Sequence, residues 1–254
     1  MTRDELDLYL KSFFKPELYD DYCPNGLQVE GRDQITSIVF AVSATRESCL
    51  YAAQKKASAL IVHHGLFWKF HGSKTVTGPF YKRIAPLIKE DVNLFAYHLP
   101  LDAHLEVGNA VNVARLLEMS NLSPFGQYKN AFTGIQGELV EKITGTELKK
   151  ILERKLDHSV LYSRPEENRP IKKIGIITGG ANSEWKEALK SGLDAYITGE
   201  MSEHDFHESR EADIHMFAGG HHATEKFGIQ NLMRHLQERF PEIHCEFLDS
   251  INPA

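Results

Sequence analysis

The sequence predicts an α/β fold made of duplicated strand–helix–strand units with parallel-rich sheets. Two observations support this prediction: short apolar runs typical of buried strands alternate with helix-like runs, and the second half of the chain repeats the order of the first. A strand, a helix and a second strand within about 25 residues form a parallel crossover unit, because parallel strands need such a connection. The 254 residues suffice for one large domain or for two closely packed halves.

The first half begins with a short amphipathic helix predicted over residues 3–14, where Thr2 and Glu5 match a capping box. A tight loop is predicted at Pro24-Asn25-Gly26, because this tripeptide favours turns. The crossover unit and a further apolar strand come next. They comprise a strand at 38–42, a helix at 45–56, a strand at 58–62 and a strand at 92–97, and a helix-like run at 110–117 follows.

The second half repeats this order, with a similarity of pattern more than of identity. Its first strand is predicted at 174–177 and ends in Thr178-Gly179-Gly180-Ala181. A helix over 183–190 is closed by Gly192, because glycine is favoured just after a helix C-terminus. The remaining elements are strands at 194–198 and 214–218 and a helix-like run at 227–236.

The segment between the halves, residues 120–170, differs from them in composition. Residues 120–126 and 165–170 are rich in turn formers and are typical of linkers. A strand near 135–140 and a capped helix over 144–156 lie between these linkers. We predict that the segment connects or covers the halves and is not catalytic. The predicted domains are therefore a first α/β half at 1–119, this segment at 120–170 and a second α/β half at 171–254.

The composition limits the classes of partner. A net charge of −6 disfavours nucleic acid, because neutralising phosphates needs a basic face. The three cysteines (Cys23, Cys49 and Cys245) form no CxxC pair, which argues against a disulfide framework and a thiolate zinc site. The acidic N-terminus does not match a signal peptide, and no apolar run approaches the roughly 18 residues of a membrane span. We therefore predict a cytoplasmic protein.

Histidine and carboxylate side chains follow three of the predicted strands. His63 and His64 come after the strand at 58–62, and the segment from His98 to Asp102 comes after the strand at 92–97. The third set, after the strand at 214–218, contains His221 and Glu225. In open parallel α/β sheets, functional groups collect at the carboxyl ends of the strands. The three sets together therefore predict a metal site.

The spacing of these residues indicates how they can bind metal. Neighbouring residues of a strand point to opposite faces, so His63 and His64 can each address a different ion. His221 and Glu225 are four residues apart and share one face of a helix. Glu225 has two oxygens and can bridge two ions, and Asp102 adds a hard terminal ligand. Imidazole with carboxylate suits zinc, iron, manganese or nickel, and the identity of the metal stays open.

Each motif alone has a plainer explanation. A HisHis pair is more often a surface or core feature, helices carry the His-x-x-x-Glu spacing by chance, and Asp102 can simply cap the next turn. The metal prediction depends on all three motifs lying at strand ends of one type of sheet.

Further candidates carry weaker signals. Thr178-Gly179-Gly180-Ala181 can cradle an anion, but it lacks the established phosphate-binding patterns, and close chain packing is favoured. Glu200, together with His204 and His207, forms either an outer shell of the site or a solvated helix face. Phe67 and Trp68 either stack on a planar ring near the metals or pack under their loop.

Six segments between residues 25 and 225 carry a family resemblance. They are NGLQV (25–29), VHHGLFW (62–68), YHLPLD (97–102), IITGGA (176–181), AYITGE (195–200) and GHHATE (220–225). In this order they resemble the YbgI or NIF-three-like proteins, often labelled GTP cyclohydrolase 1 type 2 homologues. One departure is visible: many relatives carry an aspartate just after the first strand, where this chain has Ser43-Ala44-Thr45.

The resemblance implies a NIF-three-like α/β fold and a homohexameric ring with a two-metal centre that faces a central cavity. It also implies that His64 and Asp102 hold one divalent ion, that His63 and His221 hold the other, and that Glu225 bridges them. The choice of His221 over its histidine neighbour comes from the resemblance, because spacing alone leaves both open.

The leading functional prediction is a metal-dependent hydrolase that acts on a nucleotide or a related ring compound. Glu225, His98 and Glu200 are its predicted catalytic residues, and the last two are proton carriers. The rival is a hexameric metal-binding scaffold or regulatory partner without enzymatic activity. Open coordination positions with bound water favour the hydrolase, and closed four-ligand sites favour the scaffold.

Overall fold

Eleven strands form two mixed sheets in the computed structural model, which describes residues 1–254. The first of its two units comprises Met1–Leu101 and Ile229–Ser250, and the second comprises Asp102–Gly228 and Ile251–Ala254. The predicted α/β fold class is therefore confirmed, whereas the predicted domain boundaries stay predictions. None of the helices is both long enough and apolar enough to cross a membrane.

The regular elements are numbered along the chain. The strands are β1 (Gly26–Val29), β2 (Ser37–Ser43), β3 (Ala59–His64), β4 (Asn93–Ala96), β5 (Ser120–Tyr128), β6 (Ala131–Ile143), β7 (Leu161–Ser163), β8 (Ile171–Ile176), β9 (Ala195–Thr198), β10 (His215–Ala218) and β11 (His244–Phe247). The α-helices are α1 (Arg3–Phe14), α2 (Arg46–Gln54), α3 (Gly78–Lys89), α4 (Leu99–Ala103), α5 (Asn109–Leu116), α6 (Gly145–Leu156), α7 (Trp185–Lys190), α8 (Glu203–Glu211) and α9 (His221–Arg239).

The sheet of the first unit has the strand order β1-β4-β3-β2-β11. All its pairings are parallel except that between β1 and β4. Its central strands are buried on both faces, which explains why they appear in the sequence as continuous apolar runs. Leu60 and Leu94 of the sheet belong to one core cluster with Ala52 of α2 and Leu87 of α3.

The sheet of the second unit has the strand order β5-β6-β8-β9-β10-β7. Its centre, β8-β9-β10, is parallel, and the outer pairings are antiparallel. Leu148, Leu152 and Leu156 follow the spacing of one helix face along α6 and are buried in the core of this unit. Ile176 of β8 and Phe217 of β10 lie in the same cluster.

The predicted capping box of α1 is confirmed. The Thr2 hydroxyl accepts from the Glu5 backbone N–H at 3.2 Å, and the Glu5 carboxylate accepts from the Thr2 backbone N–H at 2.7 Å. The same reciprocal arrangement joins Thr144 and Glu147 at the start of α6. Both boxes satisfy backbone donors that the first turn of a helix otherwise leaves unpaired.

Two predictions about local structure were wrong. Strand β3 does not end at Val62 but includes both histidines, because its parallel pairing with β2 continues until Ser43 lies beside His64. Residues 120–126 are not a linker but part of β5, which pairs antiparallel with β6. Strand β5 lies at the edge of its sheet, where Pro124 is tolerated although it has no N–H to donate.

Candidate functional site

Three histidines of the first unit lie together at the ends of β3 and β4. His63 and His64 are the last residues of β3, and His98 follows β4. The two strands are parallel neighbours, so their carboxyl ends meet at one edge of the sheet. One ring nitrogen from each histidine lies within 4.8 Å of the others, and His63 and His98 are buried. This trio, which the sequence did not predict as a set, can bind a metal ion.

Hydrogen bonds at Nδ1 fix the orientation of these rings. His63 Nδ1 lies 3.1 Å from the carbonyl oxygen of Tyr97, and His98 Nδ1 lies 2.9 Å from an Asp21 carboxylate oxygen. Because both partners are acceptors, Nδ1 donates in each case, so Nε2 carries the lone pair whenever the ring is neutral. His64 Nδ1 lies 2.9 Å from the hydroxyl of Ser43, which can act as donor or acceptor. Metal-binding histidines are typically oriented by such partners.

Asp21 is the main supporting residue of this cluster. Besides the ring of His98, it accepts from the backbone N–H groups of Cys23 and Leu99 and from the side-chain amide of Asn25, at 2.9–3.0 Å. Burial alone would raise the pKa of Asp21, but its hydrogen bond to His98 and the charge of that ring, with the other donors, lower the pKa to about 2. Asp21 is therefore ionised and can hold His98 in place.

We predict that Asp21→Asn lowers the free energy of unfolding by about 3 kcal/mol, because an amide leaves buried donors without an acceptor. Chemical denaturation at neutral pH measures the loss. Since the folded-state pKa is depressed, this stabilisation is present above pH 3.8 and is lost as the pH falls toward about 2. The control is Asp20→Asn, whose side chain is 56% exposed and lies 3.7 Å from Lys69. Equal effects of the two substitutions would contradict the role of Asp21.

In the second unit, Asp102 is held by two side chains. It lies in the short helix α4 and is buried. One of its carboxylate oxygens accepts from the Asn109 amide at 2.8 Å and from the Thr178 hydroxyl at 3.2 Å. Asn109 in turn accepts from the backbone N–H of Gly228 at 3.0 Å. Hydrogen bonds from these neutral donors orient the carboxylate, as is typical of carboxylates that bind metals.

His221 and Glu225 lie one turn apart at the start of α9. His221 Nε2 is 3.2 Å from a Glu225 oxygen, and His221 Nδ1 is 2.5 Å from a Glu200 oxygen. Burial alone would lower the pKa of His221, but the hydrogen bonds and charges of Glu225 and Glu200 outweigh it and raise the pKa to about 9. Glu225 is only 2% exposed. Glu200 therefore holds Nδ1 of His221, and Nε2 faces the carboxylate of Glu225, which is itself a candidate metal ligand.

Gly179 allows the chain to pass close to these side chains. Its φ is +68°, and a Cβ built there would overlap a Glu225 carboxylate oxygen and lie 3.1 Å from His221 Nε2. Its N–H donates to Thr224, and its carbonyl accepts from the backbone of Gly199 at 2.9 Å. The Gly-Gly stretch therefore serves close packing around Glu225, which is the alternative that the sequence favoured.

The donor set fits a divalent metal ion. The candidate ligand atoms are imidazole nitrogens and carboxylate oxygens, and none of the three cysteines, which are buried free thiols, belongs to a candidate group. All four candidate histidines have Nδ1 engaged by a hydrogen-bond partner: His63, His64, His98 and His221. Sequence reasoning missed Asp21 and Ser43, because they lie far along the chain from the rings that they contact.

The fold and these residues define the class of the protein. It is an α/β protein with oriented imidazoles and buried carboxylates at its strand ends. The chain belongs to the Duf34/NIF3 (NGG1p interacting factor 3) family, whose model matches residues 1–253.

Named relatives and solved structures match along the whole chain. A protein of Haemophilus influenzae described as GTP cyclohydrolase 1 type 2 homolog is 39% identical over 254 residues, the full length of both chains. A protein of Escherichia coli with the same description is 37% identical over 257 residues and also matches in full. The solved structure of protein ybgI, described as of unknown function, superposes with a TM-score of 0.92 at 37% identity, with both chains fully covered. The crystal structure of a Thermus thermophilus protein, TTHA1606, superposes with a TM-score of 0.88 at 30% identity, again with both chains fully covered.

Proposed function

We propose that this protein is a metal-dependent hydrolase that acts on a nucleotide or a related ring compound. Its proposed ligands for two divalent ions are His63, His64, Asp102, His221 and Glu225. The observation that carries the proposal is the set of oriented rings: each histidine among these ligands has a hydrogen-bond partner at Nδ1, which directs Nε2 toward a metal.

The ions would lower the pKa of a bound water and polarise the bond to be broken. The remaining steps fall to side chains of this protein. His98 is a proposed proton carrier that acts at Nε2, because its Nδ1 is hydrogen-bonded to Asp21. Glu225 and Glu200 are the other proposed catalytic residues, and Glu200 also holds the ring of His221.

The two roles of Glu200 can be separated by substitution. Glu200→Ala removes the hydrogen-bond acceptor of His221 and is expected to lower metal affinity about 10- to 100-fold, as for other supporting residues of metal sites. Glu200→Gln keeps an acceptor oxygen and should retain most of the affinity while losing proton transfer. Competition with a chelating dye measures the affinity, and Glu203→Ala, on exposed α8, is the control. Full affinity in Glu200→Ala would contradict the positioning role.

A nucleotide is proposed as the substrate because the relatives carry the description GTP cyclohydrolase 1 type 2 homolog. The test is to incubate metal-reconstituted and EDTA-treated protein with a panel of nucleotides and pterin precursors and to follow the products by chromatography. We expect turnover of at least one compound only in the metal-reconstituted sample. Metal binding without any turnover would favour the rival, a metal-binding scaffold.

The proposal also includes the homohexamer that the family resemblance implies and the cytoplasmic location that the sequence predicts. Sedimentation velocity of the purified protein tests the assembly, since a hexamer has six times the chain mass of 28.8 kDa. A monomer at micromolar concentration would contradict the assembly without affecting the proposed ligands.

A further inference from the structure

A cavity of about 520 Å³ opens in the first unit next to the histidine trio. Its size falls within the range of small-molecule sites, roughly 300–1,000 Å³. Three aromatic side chains line it, those of Tyr19, Phe67 and Trp68. The indole N–H of Trp68 donates to the carbonyl oxygen of Gly65 at 3.1 Å, which fixes the plane of the ring. The cavity therefore offers a preformed aromatic wall.

Residues of the cavity wall contact the trio directly. The rings of Trp68 and His98 meet edge to face, with centroids 5.1 Å apart, and those of Trp68 and His64 are 5.9 Å apart. Asp21, another lining residue, holds Nδ1 of His98. A molecule in the cavity would therefore be separated from His98 by the side chains of Trp68 and Asp21.

The charges around the cavity favour an anionic group at its rim. Asp21 is occupied by four hydrogen-bond donors, and Asp20 lies 3.7 Å from Lys69. Lys74 forms no ion pair: its ammonium lies 3.5 Å from the carbonyl oxygen of Leu66 and 5.0 Å from the Phe80 ring. Lys74 therefore supplies a positive charge that no carboxylate of the protein neutralises.

We propose that this cavity binds the substrate as a planar heteroaromatic ring that carries a phosphate, with the ring against Trp68 and the phosphate at Lys74. This inference rests on the proposed function and adds a location and a chemical class for the substrate. Stacking on an aromatic side chain tolerates different bases, because every base has a π-face. An ammonium at the rim attracts a phosphate as a point charge.

The test is calorimetric titration of the full-length protein, both metal-loaded and EDTA-treated, with guanosine 5′-monophosphate, guanosine or ribose 5-phosphate. Trp68→Ala is expected to weaken binding of the monophosphate about tenfold or more, as for other stacked bases. Trp68→Phe keeps an aromatic wall and should stay within about threefold of wild type, which also excludes misfolding as the cause. Lys74→Gln should weaken binding of the monophosphate about fivefold, with a larger effect at low salt, and should leave the affinity for guanosine unchanged.

Lys82→Gln, on the exposed face of α3, is the matched control for the loss of a lysine and should bind like wild type. If Trp68→Ala and Lys74→Gln both bind the monophosphate with wild-type affinity, the proposal is overturned. It is also overturned if the wild-type protein does not bind the monophosphate at about 10 mM. Because binding is measured without turnover, a protein that binds through Trp68 but hydrolyses nothing refutes the proposed function and supports the cavity. Metal-dependent turnover that Trp68→Ala and Lys74→Gln leave unchanged refutes the cavity alone.

Discussion

Glu225→Gln is expected to lower metal affinity by more than about 100-fold, which is the upper end of the effect for residues that only support a ligand. Glu225 is 2% exposed, lies 3.2 Å from His221 Nε2, and is the proposed bridge between the two ions. The amide keeps the size of the side chain but removes the charge that balances a divalent cation. Competition with a chelating dye measures the affinity, and any metal-dependent turnover should disappear with it.

The control for this substitution is Glu238→Gln, which makes the same chemical change at an exposed position of the same helix. It should leave both metal affinity and unfolding free energy within experimental error. If Glu225→Gln binds metal as tightly as wild type, Glu225 is not a ligand, and the proposed pair of ions loses its bridge.

Gly179→Ala is expected to weaken metal binding about 10- to 100-fold, because the new methyl group displaces the Glu225 carboxylate from its position. The backbone contributes a separate cost of roughly 1 kcal/mol, since alanine at a φ of +68° is strained. Thermal unfolding measures the second effect and dye competition measures the first.

Gly192→Ala separates the two effects. Gly192 has nearly the same φ, +67°, but a Cβ there would meet no atom within 4 Å. It should therefore show the backbone cost with unchanged metal affinity. Equal metal affinities in Gly179→Ala and Gly192→Ala would show that the close approach to Glu225 does not matter for binding.

Much of the fold could be predicted from the sequence because the central strands are buried on both faces and appear as apolar runs. The capping boxes at Thr2 and Thr144 are local signals, and they identified the helix starts correctly. Edge elements were missed: β5 contains Ser, Pro and Gly, which are typical of linkers, and only its pairing with β6 makes it a strand. Helix α3 begins with Gly78 and has Pro86 in its interior, so its sequence gives a weak helix signal.

The candidate ligands could be predicted from their positions at or shortly after strand ends, whereas the groups that orient them could not. Asp21 precedes His98 by 77 residues, and Ser43 precedes His64 by 21. The second pair meets because β2 and β3 are parallel neighbours in a particular register, which a single sequence does not specify.

The proposed function requires that the candidate imidazoles and carboxylates bind a pair of divalent ions. Elemental analysis of the reconstituted and dialysed protein by inductively coupled plasma mass spectrometry tests it most directly. We expect two ions per chain in the wild type and a loss of both in the double variant His63→Ala/Glu225→Gln. Less than one ion per wild-type chain, or two ions retained in the double variant, would contradict it.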